Sequence, residues 1–146
     1  MSGAVDLSLG QKQRLFARLL PRLLDRIYAA GFEVTLGEVF RSDEQAEINA
    51  IGQAGREEVA RLVAAKFPAL AEKLRNNGKA DGVRMSIHQL KLAADINLFD
   101  GRGNYIADGE AHRPFGLWWK ASHPLCAWGG DFRDGNHYSI EHGGVR

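Results

Sequence analysis

The chain has little of several features that commonly announce a function. Cys126 is its one cysteine, so it can close no intrachain disulfide and build no all-cysteine zinc site. Lysine plus arginine number 19 against 18 aspartates and glutamates, a formal charge of +1. No strong basic excess exists, and a nucleic-acid partner is not expected. No apolar run approaches the roughly 20 residues that span a bilayer, so no stable membrane insertion is expected. Residues 1–10 show no basic start followed by an apolar block, so no secretory leader is expected. Repeats, low-complexity tracts and Pro- or Ser-rich linkers are also missing. The 146 residues fit one domain, residues 1–146, and a monomer is expected.

What is present is periodic. Leu15, Phe16, Leu19, Leu20, Leu23, Leu24, Ile27 and Tyr28 recur at helical spacing and predict a helix over 8–30. Pro21 is expected to kink it or to open its second half. Lys12, Arg14, Arg18, Arg22 and Arg26 are expected on its solvated face. Residues 32–40 read as a strand. Ser42, three residues before Gln45, starts a short helix. Residues 57–74 read as another helix, with Pro68 as a candidate break and Asn76-Asn77-Gly78 as its end. Residues 93–99 predict a strand and Asp100 to Gly103 a turn, with Tyr105 to Ala107 as the hairpin partner. Residues 115–122 predict a short helix, Gly129-Gly130 a loop and residues 137–141 a last strand. Helices early and short strands late give an α+β class, with helices packed on a small antiparallel sheet.

Two segments concentrate histidine and aspartate. The first is Ser86-Ile87-His88-Gln89-Leu90-Lys91-Leu92-Ala93-Ala94-Asp95, the second Trp128-Gly129-Gly130-Asp131-Phe132-Arg133-Asp134-Gly135-Asn136-His137-Tyr138. A catalytic zinc takes three nitrogen or oxygen ligands and keeps one open position, and His88, Asp95 and His137 are candidates. A straight strand would set His88 and Asp95 roughly 23 Å apart, so one ion requires the chain to bend between them. Gly135-Asn136 is a turn pair that brings Asp134 and His137 to one side. Neutral imidazole and carboxylate suit Zn²⁺, which makes hydroxide available near neutral pH. A neighbouring carboxylate such as Asp134 can then manage a proton, and a cation such as Arg41 can stabilise an oxyanion. The same residues also admit a plainer reading. In it Asp95 caps or pairs with a cation, His88 is a polar surface residue, and Asp134-Gly135-Asn136 is only a turn.

The ordered motifs Ser-x-His-x-x-x-x-Ala-x-Asp, Trp-Gly-Gly-Asp-Phe and Asp-x-x-His-Tyr, with Phe40-Arg41-Ser42-Asp43-Glu44-Gln45 upstream, resemble one family. It is that of the zinc D-Ala-D-Ala carboxypeptidases and dipeptidases, which includes the bacteriophage L-alanyl-D-glutamate endolysins and shares its core with the hedgehog signalling domain. The resemblance runs from about Val34 to the end of the chain and is loose over residues 52–81. It implies that His88, Asp95 and His137 hold Zn²⁺. It also implies that Asp134 is the general base, that Arg41 contacts the substrate carbonyl or oxyanion, and that Ser86 supports the metal site. The substrate implied is the stem peptide of bacterial peptidoglycan, cut at the L-alanyl-D-glutamate bond by a phage endolysin during host lysis. Such a chain would be made in the host cytoplasm and reach the wall through a separate export factor. The alternatives are a D-Ala-D-Ala carboxypeptidase or dipeptidase, or a catalytically silent zinc module of a phage structure. One departure stands out: the family carries glycine where this chain has Lys91, which makes the expected bend harder to form. Elsewhere, His142 is expected near the site or on the surface, His112 and His123 in solvent or loops, and Cys126 as a small buried hydrophobe. Of Trp118, Trp119 and Trp128, at least two are expected in the core.

Overall fold

The computed structural model describes residues 6–76 and 86–146. It opens with helix α1 (Leu9–Ala29). Ser8 caps it: its hydroxyl accepts the Gln11 N–H while the Gln11 side chain accepts the Ser8 N–H. α1 is one element across Pro21, not two. The carbonyl left without its usual donor belongs to Ala17, on the exposed side, where water can serve it. The inward stripe is Phe16, Leu19, Leu23 and Ile27. Lys12 departs from the expected solvated face: it is buried, with Nζ 3.1 Å from His142 Nδ1.

Strand β1 (Glu33–Leu36) is shorter than the sequence suggests. It pairs antiparallel with β2 (Ala93–Phe99), from Glu33 opposite Phe99 to Leu36 opposite Ile96. The chain then leaves the ladder, although Gly37 N still donates to Asp95 O and Glu38 O still accepts from Asp95 N. A Cβ on Gly37 would stand 3.3 Å from both the Cβ and the carbonyl oxygen of Asp95, so glycine permits this close approach.

Three helices follow: α2 (Asp43–Ala50), α3 (Gly52–Val63) and α4 (Pro68–Arg75). The expected helix over 57–74 is thus two helices and begins earlier, at Gly52. Phe67 breaks it, and Pro68, which lacks an N–H to give, opens α4. Asn76 ends α4, while Asn77 and Gly78 lie outside the described residues. Ala60, Ala71 and Leu74 form a small core of their own between these helices.

Strands β3 (Tyr105–Ile106), β4 (Cys126–Trp128) and β5 (His137–Ile140) complete an antiparallel sheet in the order β1-β2-β5-β4, with β3 also on β2. Helix α5 (Arg113–Ser122) precedes β4. β4 was not expected: three residues are too few for a period of two to show. Gly129-Gly130 open a 3-10 turn, Gly129–Phe132, in place of a loop. The fold class is α+β, as the element pattern predicts. The main core joins the α1 stripe to Ala94, Ile96 and Leu98 of β2, Tyr138 and Ile140 of β5, and Trp119 of α5. Trp119 packs edge-on against both Phe16 and Tyr138, and its indole N–H donates to Ser139 O at 2.9 Å. Cys126 is buried as expected, and burial pushes its thiol up to about 12.

His112 corrects the expectation of a solvent histidine. It is 3% exposed, with Nδ1 2.8 Å from the Tyr138 hydroxyl. Burial holds its imidazole down at about 4, against 6.5 ordinarily. Between those values the unfolded chain binds a proton that the folded chain refuses. The stability is therefore complete above about pH 6.5 and declines as pH falls toward about 4, by on the order of 2–3 kcal/mol. Denaturant unfolding across this range, on wild type and His112→Gln, should show a shallower pH dependence in the variant. Equal slopes would contradict this account.

Candidate metal centre

The 3-10 turn Ile87–Leu90 carries His88. Ser86 caps it: its hydroxyl accepts the His88 N–H at 3.3 Å, and its own N–H donates to Gln89 Oε1 at 2.6 Å. Ser86 therefore sets the backbone of the turn from which His88 projects. Lys91 then takes a left-handed conformation (φ 58°, ψ 39°), and Lys91 N–H donates back to His88 O. This is the bend needed between His88 and Asp95, made by lysine where glycine would be easier. The backbone there costs about 1–2 kcal/mol. Lys91 Nζ stands 5.4 Å over the Phe40 ring.

Asp95 sits in β2 and His137 opens β5, and the two are Cα partners in the ladder. Behind His137, the loop is pinned by three bonds. Asp134 N–H donates to Gly129 O, His137 N–H to Asp134 O, and the Trp128 indole N–H to Gly135 O at 2.7 Å. A Cβ on Gly129 would overlap the Asp134 carbonyl oxygen. Arg133, just before Asp134, is the second non-glycine residue in left-handed backbone (φ 64°). Among the described residues, both such positions flank the histidine–aspartate cluster. Trp128 and Trp119 are thus structural, while Trp118 is half-buried beneath the Arg26 guanidinium.

His88 Nε2 lies 3.3 Å and His137 Nδ1 3.2 Å from Asp95 Oδ1. One ligand atom from each of the three residues lies within 4.8 Å of the others. Both histidines are buried and Asp95 is a quarter exposed. A tetrahedral ion with bonds of ~2.0–2.1 Å sets its donor atoms ~3.3 Å apart, so the spacing fits zinc. The donor chemistry fits as well: two imidazoles and one carboxylate leave a fourth position open. The opposite nitrogens, His88 Nδ1 and His137 Nε2, are buried without a hydrogen-bond partner.

Burial alone would raise the Asp95 carboxyl. Hydrogen bonds from His137 and His88, with the charge of both imidazoles, overcome it and hold Asp95 at about 2. Asp134 moves the other way. Burial first, then the negative charge of Asp95, raise its carboxyl against the opposing pull of His137 and His88. Asp134 Oδ2 lies 3.9 Å from His137 Nδ1 with its side chain half-exposed.

The sequence-predicted residues therefore divide into groups. His88, Asp95 and His137 meet, and Asp134 stands beside them. Arg41 reaches the cluster through Glu38: Arg41 Nη2 lies 2.6 Å from Glu38 Oε1, which lies 3.8 Å from His88 Nδ1. His142 stays with Lys12, and the His123 ring accepts the Leu125 N–H. Glu38 does not stand out in the sequence, where it reads as part of a strand; its spacing three before Arg41 is the available signal.

No family model matches the chain, and no curated protein matches it. Solved structures similar to this chain include the following two. One is a vancomycin-resistance D,D-pentapeptidase, VanY, from a VanB-type resistance cassette, in complex with Zn(II). It is 18% identical with a TM-score of 0.46, over 86% of this chain and 70% of that one. The other is VanYB in complex with D-alanine-D-alanine, 19% identical with a TM-score of 0.44, over 86% of this chain and 69% of that one.

The strain at Lys91 is testable. Lys91→Val, which puts a β-branched residue in left-handed backbone, should lower stability further in denaturant unfolding. Lys91→Gly should lose nothing, and the reverse order would refute the strain.

Proposed function

We propose that this chain is a zinc-dependent peptidase acting on peptidoglycan stem peptides. The observation that carries the metal assignment is the convergence of His88 Nε2, Asp95 Oδ1 and His137 Nδ1 at ion-sized spacing. The substrate class rests on the ordered motifs that resemble the D-Ala-D-Ala peptidase family. When bound, zinc supplies Lewis acidity, polarising a carbonyl and lowering the pKa of water. The chain's own residues do the rest. His88, Asp95 and His137 form the cradle and leave one side open. Asp134, half-exposed beside His137, accepts a proton from the attacking water and returns it to the departing amine. Arg41, its guanidinium beside Glu38 at the edge of the cluster, is the cation assigned to the oxygen of a substrate carbonyl as charge develops there.

We further assign the L-alanyl-D-glutamate bond, cut by a single catalytic domain serving phage-driven host lysis. This finer reading follows the ending Asn136-His137-Tyr138-Ser139-Ile140-Glu141-His142, which resembles the compact phage members of that family.

Metal-replete protein incubated with defined muropeptides, with products weighed by mass spectrometry, tests both levels. Release between L-alanine and D-glutamate is expected. Loss of a terminal D-alanine would reassign the enzyme as a carboxypeptidase, and intact stems would remove the hydrolase reading. Asp134→Ala should keep about one zinc per chain and lose on the order of 10²–10⁴-fold in kcat. His137→Ala should lose the metal itself. Wild-type turnover by Asp134→Ala would point to a zinc module without this chemistry.

A further inference from the structure

Zinc binding through His88 Nε2 fixes where the ring proton must sit. A neutral imidazole that ligates through Nε2 carries its hydrogen on Nδ1, and that hydrogen needs an acceptor. His88 is 4% exposed, so bulk water does not reach it freely. Its Nδ1 is buried with no hydrogen-bond partner, and the oxygen facing it is Glu38 Oε1 at 3.8 Å. The remaining gap to hydrogen-bond length is about 1 Å. Glu38 Oε1 is itself buried and accepts no aligned hydrogen bond, while Arg41 Nη2 holds it by charge at 2.6 Å.

The backbone around this carboxylate is tied to both ligand segments. Glu38 O accepts from Asp95 N at 2.8 Å, and Arg41 N donates to His88 O at 3.4 Å. One four-residue stretch thus bridges the bend between His88 and Asp95. Its position is set by the approach of Gly37 to Asp95.

We propose that Glu38 is a positioning residue of the metal centre. Its carboxylate takes the His88 Nδ1–H and fixes the tautomer that presents Nε2, and Arg41 clamps the carboxylate. The proposal rests on the zinc reading above and adds a residue that the motif resemblance does not contain. Arg41 thus stands at the cluster as the cation that holds the Glu38 carboxylate.

The test is zinc affinity of the full chain, measured by competition with a chromophoric chelator and so independent of turnover. Glu38→Ala should bind zinc 10–100-fold more weakly. Glu38→Gln keeps an acceptor oxygen and should lie between wild type and Glu38→Ala. Glu38→Asp keeps the charge on a shorter arm and should also weaken binding, which covers the case where Glu38→Ala folds poorly. Metal-free unfolding midpoints of each variant separate lost affinity from lost fold. In zinc-loaded wild type, nitrogen-detected NMR should show the His88 proton on Nδ1, protected from exchange, and that protection should vanish in Glu38→Ala. Wild-type zinc affinity in both Glu38→Ala and Glu38→Asp would overturn the role of Glu38 alone. A wild-type chain that takes up no zinc would instead overturn the metal reading beneath it.

Discussion

Asp95 and His137 meet because β2 and β5 pair in one particular register. They are Cα partners, as are Ala94 with Tyr138 and Ala93 with Ser139. Side chains alternate along a strand, so Ala94, Ile96 and Leu98 join Tyr138 and Ile140 in the core while Asp95 and His137 share the opposite face. A one-residue slip would bury Asp95 against α1 and expose the apolar set. Burial of Tyr138, Ile140 and Trp119 therefore holds the register, and the register holds two of the three donor residues. The hydrophobic core and the polar cluster are two sides of one ladder.

The third donor, His88, comes from outside the ladder and needs distortion to arrive. Lys91 turns left-handed and Ser86 caps the preceding turn, which brings His88 Nε2 within 3.3 Å of Asp95. On the other side, Arg133 turns left-handed before Asp134, and Trp128 grips the loop through the Gly135 carbonyl. Strain is concentrated around the cluster and offset by the packed tryptophans and capped turns. The segment from Gly37 to Arg41 closes the arrangement, bonded to Asp95 at one end and to His88 at the other.

Much of this was legible in the residues, for physical reasons. The α1 stripe has a period that only a helix explains, and β2 alternates cleanly because one of its faces is buried. Asp100 closes the β2–β3 hairpin with its own carboxylate, accepting from Arg102 N and Asn104 N, as its turn sequence suggests. Elements fixed by short contacts were harder. β4 has three residues, β1 ends where Gly37 meets Asp95, and the break before Pro68 depends on how α3 and α4 pack together. Lys12 and His112 read as solvent residues because their burial depends on distant partners, His142 and Tyr138.

The residue types and their order determined the donor chemistry by themselves. With one cysteine, a metal site had to come from histidine and carboxylate, and the spacing of His88 and Asp95 demanded a bend. Tertiary structure decided which groups surround those donors. Glu38 faces His88 because β1 leaves the sheet at Gly37, and Arg41 reaches the cluster through that carboxylate. Such contacts join positions about fifty residues apart in the chain. No local pattern encodes them, because they arise only when β1 and β2 are already paired.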